Sequence, residues 1–264
     1  MKTWTIAAQK GGVGKTTTAV NLAGALVRRG ERVLMLDLDP HGSLTAYFGF
    51  DADSLENSSY ALFEAAINES IQAVPPLLLE TGVSDLTLLG SSTGLVTLER
   101  RYGQRAGLGL VIKRALLSVA TSFDYCLRDC PPTLGMLVVN ALVAADHLII
   151  PVQTEYLSAQ TLDRMVATTT MIERSRGSVL PYSVVPTMYD QRTRAGTDTL
   201  RALRARTDLC VWDSLIPVDT LFRDASQLGK PLTLLQPYSR GSTAYHHLAE
   251  FLTEDGALHL RAAG

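Results

Sequence analysis

The sequence predicts an α/β fold: one domain built on a mostly parallel, twisted sheet with helices on both faces. Three observations carry that prediction. Short apolar strand candidates alternate with helical patterns along nearly all 264 residues, the order that βαβ crossovers require. Those strand candidates are continuously apolar, as strands buried on both faces are. The first of them runs into a glycine-rich loop and then a helical pattern, a strand–loop–helix connection of defined geometry.

Taken in order, Thr3–Ala8 reads as the first strand and Ala19–Val27 as part of the first helix. Val33–Leu36 is a strand, and Tyr60–Asn68 a helix with Ser58 or Ser59 as N-cap. Leu86–Leu89 reads as a strand, Leu108–Ala120 as a helix, Phe123–Leu127 as a strand and Leu137–Ala144 as a helix. His147–Pro151 (strand), Ser158–Arg174 (helix) and Leu180–Pro186 (strand) continue the alternation. A basic helix near Gly196–Arg206, a short strand at Leu215-Ile216 and a closing helix near Ala244–Leu252 complete it. The stretch Asp51–Gly82 is the least regular and is expected to be an excursion at the sheet edge. With 46% hydrophobic residues there is material for one large core. No repeat or proline-rich linker divides the chain, so 1–264 is expected to be one domain, with a core of about 2–252 and a short tail, 253–264.

The chemistry concentrates first in Gln9-Lys10-Gly11-Gly12-Val13-Gly14-Lys15-Thr16-Thr17-Thr18. Glycines let backbone N–H groups converge on phosphate oxygens, and the following helix N-terminus adds its positive field. Lys15 would reach the β- and γ-phosphates, and the Thr16 hydroxyl would ligate Mg²⁺. A glycine turn before a helix would explain the glycines but not Gly-Lys-Thr at that place. The usual loop has glycine five residues before Gly14; here that position is Gln9, and an additional lysine, Lys10, stands at the entrance.

This segment resembles the deviant Walker loop of the ParA/MinD family of ATPases. The resemblance implies ATP and Mg²⁺ as cofactors, a single-domain P-loop NTPase fold, and contacts to nucleotide from Lys10, Gly11, Gly12, Val13, Gly14, Lys15, Thr16 and Thr17. It further implies that Lys10 crosses a dimer interface to the partner's nucleotide, which leaves it no task within its own subunit. A solvated loop lysine is the alternative.

Three later segments carry the resemblance on. The run Leu36-Asp37-Leu38-Asp39-Pro40-His41-Gly42-Ser43 places two carboxylates at the end of a parallel strand, and alternation puts them on one side. It is similar to the family's first switch, which implies that Asp39 orients the attacking water and Asp37 supports the magnesium site. His41 and Ser43 stand where the family usually has Gln and Asn. Arg128-Asp129-Cys130-Pro131-Pro132-Thr133-Leu134-Gly135 resembles the Walker B strand and second switch, with Asp129 in the magnesium shell. Arg128 replaces an aliphatic residue there; an unpaired buried cation costs several kcal/mol, so it is expected to be paired or to snorkel out beneath a helix. Ile149–Ser158 resembles the family as well, and Thr187, Met188 and Pro217, within Val185–Asp190 and Ile216–Thr220, would pack near the adenine.

The net charge of −2 gives no global signal for nucleic acid, so any such binding needs a local patch. Residues 192–206 supply one: Arg192, Arg194, Arg201, Arg204 and Arg206 against Asp198, with Arg223 as a further candidate. Arg194, Arg201 and Arg204 fall near one helical face and could neutralise phosphates non-specifically; a solvated basic helix is the alternative. Leu221 stands where chromosomal ParA proteins commonly carry a basic DNA contact. The tail from His246 is acidic and broken by Gly256, unlike a basic membrane-docking helix, so no direct membrane anchor is expected. Three cysteines without metal-ligand spacing, no signal peptide and no transmembrane run lead to the expectation of a cytoplasmic protein, nucleoid-associated or polar.

The expected activity is slow, partner-stimulated ATP hydrolysis in a homodimer that positions a cargo, with an activating or adaptor protein as partner. The runs around Asp39, Val185 and Ile216 look most like the chemotaxis-associated ParA-like subfamily, ParC, which positions receptor arrays at the cell pole. Chromosome or plasmid partition with a ParB-type partner is the second reading. An ATP-binding interaction protein with negligible hydrolysis is a third. A metabolic enzyme on the same scaffold lacks support: no residue set suggests an acceptor or transferred group, and the cysteines are not placed to hold a cluster between subunits.

Overall fold

A computed structural model describes residues 1–156 and 158–254. The strands are β1 (Lys2–Ile6), β2 (Val33–Asp37), β3 (Leu78–Glu80), β4 (Leu86–Leu89), β5 (Tyr125–Asp129), β6 (His147–Gln153) and β7 (Tyr182–Thr187), in the spatial order β3-β4-β2-β5-β1-β6-β7. All neighbours pair in parallel except β3, which runs antiparallel to β4 at the edge. The chain winds outward in both directions from β1. Register sets Ile6 and Asp37 each opposite Asp129, so the carboxyl ends of three central strands finish level. That is where such sheets open a crevice for ligands.

The helices are α1 (Lys15–Arg28), α2 (Ser43–Tyr47), α3 (Ser59–Ile67), α4 (Gly94–Tyr102), α5 (Val111–Leu116), α6 (Met136–Val143), α7 (Ser158–Arg176), α8 (Arg194–Arg204), α9 (Leu221–Gln227), α10 (Leu232–Leu235) and α11 (Arg240–Thr253). Alternation along the strands divides the core in two. Leu34, Leu36 and Cys126 face a cluster built with α3, α4, α5, α6 and α7. Val33, Met35, Tyr125 and Leu127 face the other cluster, built with α1 and α11. α1 lies against the sheet so closely that nearly all of its residues from Thr18 to Leu26 are buried. A Cβ at Gly24 would come within 2.3 Å of Thr233 Oγ1 and 2.4 Å of the Pro231 side chain, which is why α10 can press on α1 there. Thr233 Oγ1 donates to the carbonyl of Asn21, and Thr18 Oγ1 meets the Tyr245 hydroxyl of α11 at 3.0 Å.

The predicted alternation is present, with corrections where apolar periodicity is a poor guide. Leu108–Ala120 is not one helix: 3₁₀ turns at Leu108–Leu110 and Leu117–Val119 flank the short α5. Gly107 in a left-handed conformation starts this segment. The strand expected at Phe123–Leu127 begins at Tyr125 and runs to Asp129. Leu215-Ile216 forms no strand; Ile216 N–H donates to the Pro186 carbonyl and a single bridge joins Tyr189 to Pro217. α2, β3, α4, α9 and α10 were not predicted; each has nine residues or fewer. The edge excursion is real, since β3 lies within it. Ser58 is the N-cap of α3, but its hydroxyl makes no capping bond, and Ser59 Oγ instead donates to the Asp37 carbonyl. The tail beyond Glu254, including Gly256, lies outside the described residues.

Arg128 contradicts its expectation. It is fully buried on β5, and none of its three guanidinium nitrogens has a hydrogen-bond partner among the described residues. Burial pushes its pKa down, opposed by the nearby Cys126, Cys130 and Asp146. Nothing in the fold explains why a cation stands there.

His147, at the start of β6, is buried with Nε2 3.0 Å from Ser183 Oγ, and burial lowers its pKa to about 4. Below its unfolded value near 6.5 the unfolded chain takes up a proton that the folded chain refuses, so this residue removes stability as pH falls. The buried Asp37 and Asp129, whose pKa values are raised, act in the opposite direction. Comparison with His147→Gln isolates the histidine: between pH 7 and pH 5 the wild type should lose about 2 kcal/mol more than the variant in urea unfolding. Parallel pH profiles for the two would show that His147 is not held neutral.

Candidate nucleotide site

The loop from Ala7 to Gly14 leaves the end of β1 and turns into α1. Gly12 and Gly14 have φ of +72° and +87°, conformations open to glycine at no steric cost. Gly14 is the N-cap of α1, so the helix begins at Lys15 with its first N–H groups directed at the loop. No atom lies within 4 Å of the Cβ positions of Gly11 and Gly12; the space above the loop is open. Lys15 is buried and its Nζ bends back to donate to the Lys10 carbonyl at 3.3 Å.

At the foot of this loop Thr16 Oγ1 donates to Asp129 Oδ2 at 2.6 Å. The other carboxylate oxygen of Asp129, also buried, has no hydrogen-bond partner among the described residues. Asp37 sits beside it on β2, but its oxygens are engaged: Oδ1 accepts from Asp39 N–H, and Oδ2 from the N–H and hydroxyl of Thr45. Burial raises the pKa of both carboxyls; repulsion from Asp37 adds to the rise at Asp129, and repulsion from Asp39 to that at Asp37. A divalent cation beside Thr16 and Asp129 would supply the missing charge. Among the described residues no group of three or more His, Cys, Asp or Glu could hold a metal alone. The donor set therefore fits a magnesium ion completed by phosphate oxygens and water.

Next to the loop lies a cavity of about 590 Å³ that contains Thr17, Thr187, Met188 and Pro217, with Phe222 and Tyr245 also on its wall. Its size and mixed lining suit a nucleoside. Thr187 has a further task, since its hydroxyl donates to the Val13 carbonyl at 2.9 Å and ties β7 to the phosphate loop. Met188 adopts φ of +53°, strained for a non-glycine residue, and its Cε lies 3.7 Å from the Cβ position of Gly14. Asp39 follows β2 in the loop, with Oδ1 accepting from the backbone and ring nitrogens of His41.

Residues 1–180 match the family described as AAA domain. The chain is 34% identical over 252 residues to the sporulation initiation inhibitor protein Soj of Bacillus subtilis, covering 94% of this chain and 96% of Soj. It is 36% identical over 250 residues to the chromosome partitioning protein ParA of Caulobacter vibrioides, covering 92% and 91%. The chain belongs to the ParA/MinD family of Walker ATPases. Among solved structures, the fold is similar to cobyrinic acid a,c-diamide synthase from Mycobacterium smegmatis with bound ATP analogue and magnesium, at TM-score 0.80 and 31% identity over 97% of this chain and 95% of that one. Apo McdA from Cyanothece shares the fold at TM-score 0.81 with 23% identity, over 98% and 99%.

Against the family pattern, two groups of residues are placed differently from the sequence expectation. Lys10 does have a contact within its own subunit: Nζ donates to Gln153 Oε1 at 3.2 Å and pairs with Glu155 Oε2 at 3.0 Å. Gln153 ends β6 and Glu155 lies just after it, in a segment whose resemblance was legible but whose side chains had no assigned role. A glutamine and a glutamate two residues apart at the end of a parallel strand were the available signal. The arginines, second, are not free. Arg194 and Arg201 both reach Asp198, which confirms their common face, but Arg192 is bound to Asp190, Arg206 to Asp163 and Asp208, and Arg204 to the Asp213 carbonyl. Arg223 belongs elsewhere, on the wall of the nucleoside cavity.

The lone oxygen of Asp129 makes a test possible without nucleotide turnover. Above pH 8, where the buried acid is ionised, Asp129→Asn removes a buried charge and should stabilise the nucleotide-free protein by about 1–2 kcal/mol in urea unfolding. The same variant should lose the additional stabilisation that Mg²⁺ gives with ATP. A destabilised variant, or one with an unchanged magnesium response, would place the cation elsewhere.

Proposed function

We propose that this chain is an ATP-dependent, dimerising positioning ATPase that binds ATP with Mg²⁺ and hydrolyses it slowly until a partner protein stimulates it. The observation that carries the reading is the Thr16–Asp129 hydrogen bond at the foot of a phosphate loop, with an unpaired buried oxygen beside it and a nucleoside-sized cavity adjacent. In this reading Lys15 binds the β- and γ-phosphates, Thr16 and Asp129 hold Mg²⁺ with Asp37 beside them, and Asp39 orients the attacking water. The cation supplies charge neutralisation at the phosphates. Lys10 acts in the partner's site. Against amide transfer as in the synthase named above, all three cysteines are buried, and burial pushes the Cys126 thiol up to about 11, far from a thiolate nucleophile.

For the cargo, the segments around Asp39, Val185 and Ile216 favour chemoreceptor arrays at the cell pole. Partition of a chromosome or plasmid with a ParB-type partner is supported by the Soj and ParA relatives. Genes adjacent to this one, encoding chemotaxis proteins or a ParB, discriminate the two. No helix among the described residues is long and apolar enough to cross a membrane. On the strength of the Soj and ParA relatives, a cytoplasmic protein at the nucleoid or the pole is proposed.

Light scattering tests the dimer. Wild type should dimerise in ATP and not in ADP; Lys15→Ala should lose nucleotide binding, and Lys10→Ala should bind ATP yet remain monomeric. Asp39→Ala should hold ATP and accumulate as dimer, because it removes water positioning and not phosphate contacts. Dimerisation of Lys10→Ala equal to wild type would sink the trans role.

DNA binding by the α8 face is tested by retention on random-sequence duplex. It should strengthen with ATP and weaken steeply with salt through counterion release. Replacing Arg201 and Arg204 with Glu should abolish retention while basal turnover persists. Equal retention by that variant at low salt would remove these arginines from the surface.

A further inference from the structure

Asp39 begins a turn whose shape is fixed on every side. The Gly42 N–H donates to the Asp39 carbonyl at 2.8 Å, closing a four-residue turn with Pro40 and His41 at its centre. Ser91 Oγ donates to the same carbonyl at 2.7 Å, and Asp39 N–H donates to Asp37 Oδ1. Gly42 has φ of +62° and a Cβ there would lie 2.5 Å from Ala52 Cβ, so this turn conformation requires glycine at 42. The consequence falls on His41. Its backbone N–H reaches Asp39 Oδ1 at 3.0 Å and its ring Nδ1 reaches the same oxygen at 2.9 Å. Asp39 Oδ2 receives no hydrogen bond from any described residue. The ring is 80% exposed while the carboxylate is 12% exposed. It stands at the mouth of a groove of about 300 Å³ between the loop after β2, α4 and the loop Pro131-Pro132-Thr133, where Glu99 and Arg100 are the other charged side chains.

We propose that His41 is a positioning residue for ATP hydrolysis: its ring N–H occupies Asp39 Oδ1 and leaves Oδ2 as the one acceptor that can hold the attacking water. This rests on the assignment of Asp39 as the water-orienting carboxylate. A carboxylate held on one oxygen by the His41 backbone N–H alone keeps more freedom to swing about its last bond and present either oxygen to water. With two donors on one oxygen it presents the other in a single orientation, which is the preorganisation that water attack requires. His41 does not line the cavity that suits a nucleoside, so in this proposal its loss acts on turnover and not on nucleotide affinity. Glu99 does not compete for the ring: its Oε1 accepts from Leu137 N–H at the start of α6.

The experiment is single-turnover hydrolysis of labelled ATP by the full chain, with ATP affinity and thermal melting measured in parallel. His41→Ala should lower the hydrolysis rate about threefold to tenfold, the worth of one hydrogen bond to a charged group, with ATP affinity and melting temperature nearly unchanged. His41→Asn should recover most of that rate, because its Nδ2 can stand where the ring Nδ1 stood. In an Asp39→Asn background, His41→Ala should have no further effect. A His41→Ala rate equal to wild type overturns the proposal, as does an additive effect in the Asp39→Asn background. Undiminished hydrolysis by Asp39→Asn alone instead overturns the assignment of Asp39 on which the proposal rests.

Discussion

The constraint on which the site depends is the juxtaposition of two buried carboxylates, Asp37 and Asp129, on neighbouring parallel strands with their ends in register. Two anions cannot share a dry interior without compensation. Each is therefore met by a different part of the chain. Asp37 is satisfied from the loop that follows it, through Asp39 and Thr45, and so fixes the start of α2. Asp129 is met by Thr16 and by the charge of Lys15, and so fixes the start of α1. What remains is one Asp129 oxygen without a hydrogen-bond partner among the described residues. In the proposed function, a cation that arrives with phosphate would remove that residual cost.

Much of this was legible in the sequence, and for a physical reason. The phosphate loop needs glycine where φ is positive, lysine and threonine where phosphate and cation lie, and a strand and a helix on either side. Those demands leave few sequences. The central strands were legible because burial on both faces makes them apolar without interruption. β3, α9 and α10 were not: three to seven residues are too few for periodicity to differ from chance. Leu108–Ala120 misled for the opposite reason, since a good apolar pattern is served as well by 3₁₀ turns around a short helix. Side-chain pairing was the least legible level. Arg128 followed neither expected route out of the core, and Lys10 found a partner 145 residues away that local sequence does not announce.

Pairing also changes the meaning of the basic stretch. Read along the chain, 192–206 has five arginines and one aspartate; in space, Asp163, Asp190, Asp208 and Asp198 surround them. These ion pairs are largely exposed, and exposed pairs contribute only about 0–1 kcal/mol. They do not prevent phosphate binding, but each lowers the field that a polyanion meets at a distance. If this face binds DNA as proposed, it would do so weakly as a monomer. Two such faces side by side would sum their phosphate contacts, which makes affinity a steep function of assembly and of salt.

The same reasoning applies to Lys10. Its pair with Glu155 is partly exposed on both sides, and Gln153 adds a neutral hydrogen bond. Such a contact is worth about 1 kcal/mol or less. The partner's nucleotide phosphates, in the proposed dimer, carry more charge and sit in a crevice from which water is largely excluded, where charge-assisted bonds are about twice as strong as neutral ones. The cis contact therefore does not compete as a lock. It restrains the lysine side chain through Gln153 and Glu155, so that in the proposed dimer less rotamer freedom would remain to be lost when the second subunit arrives.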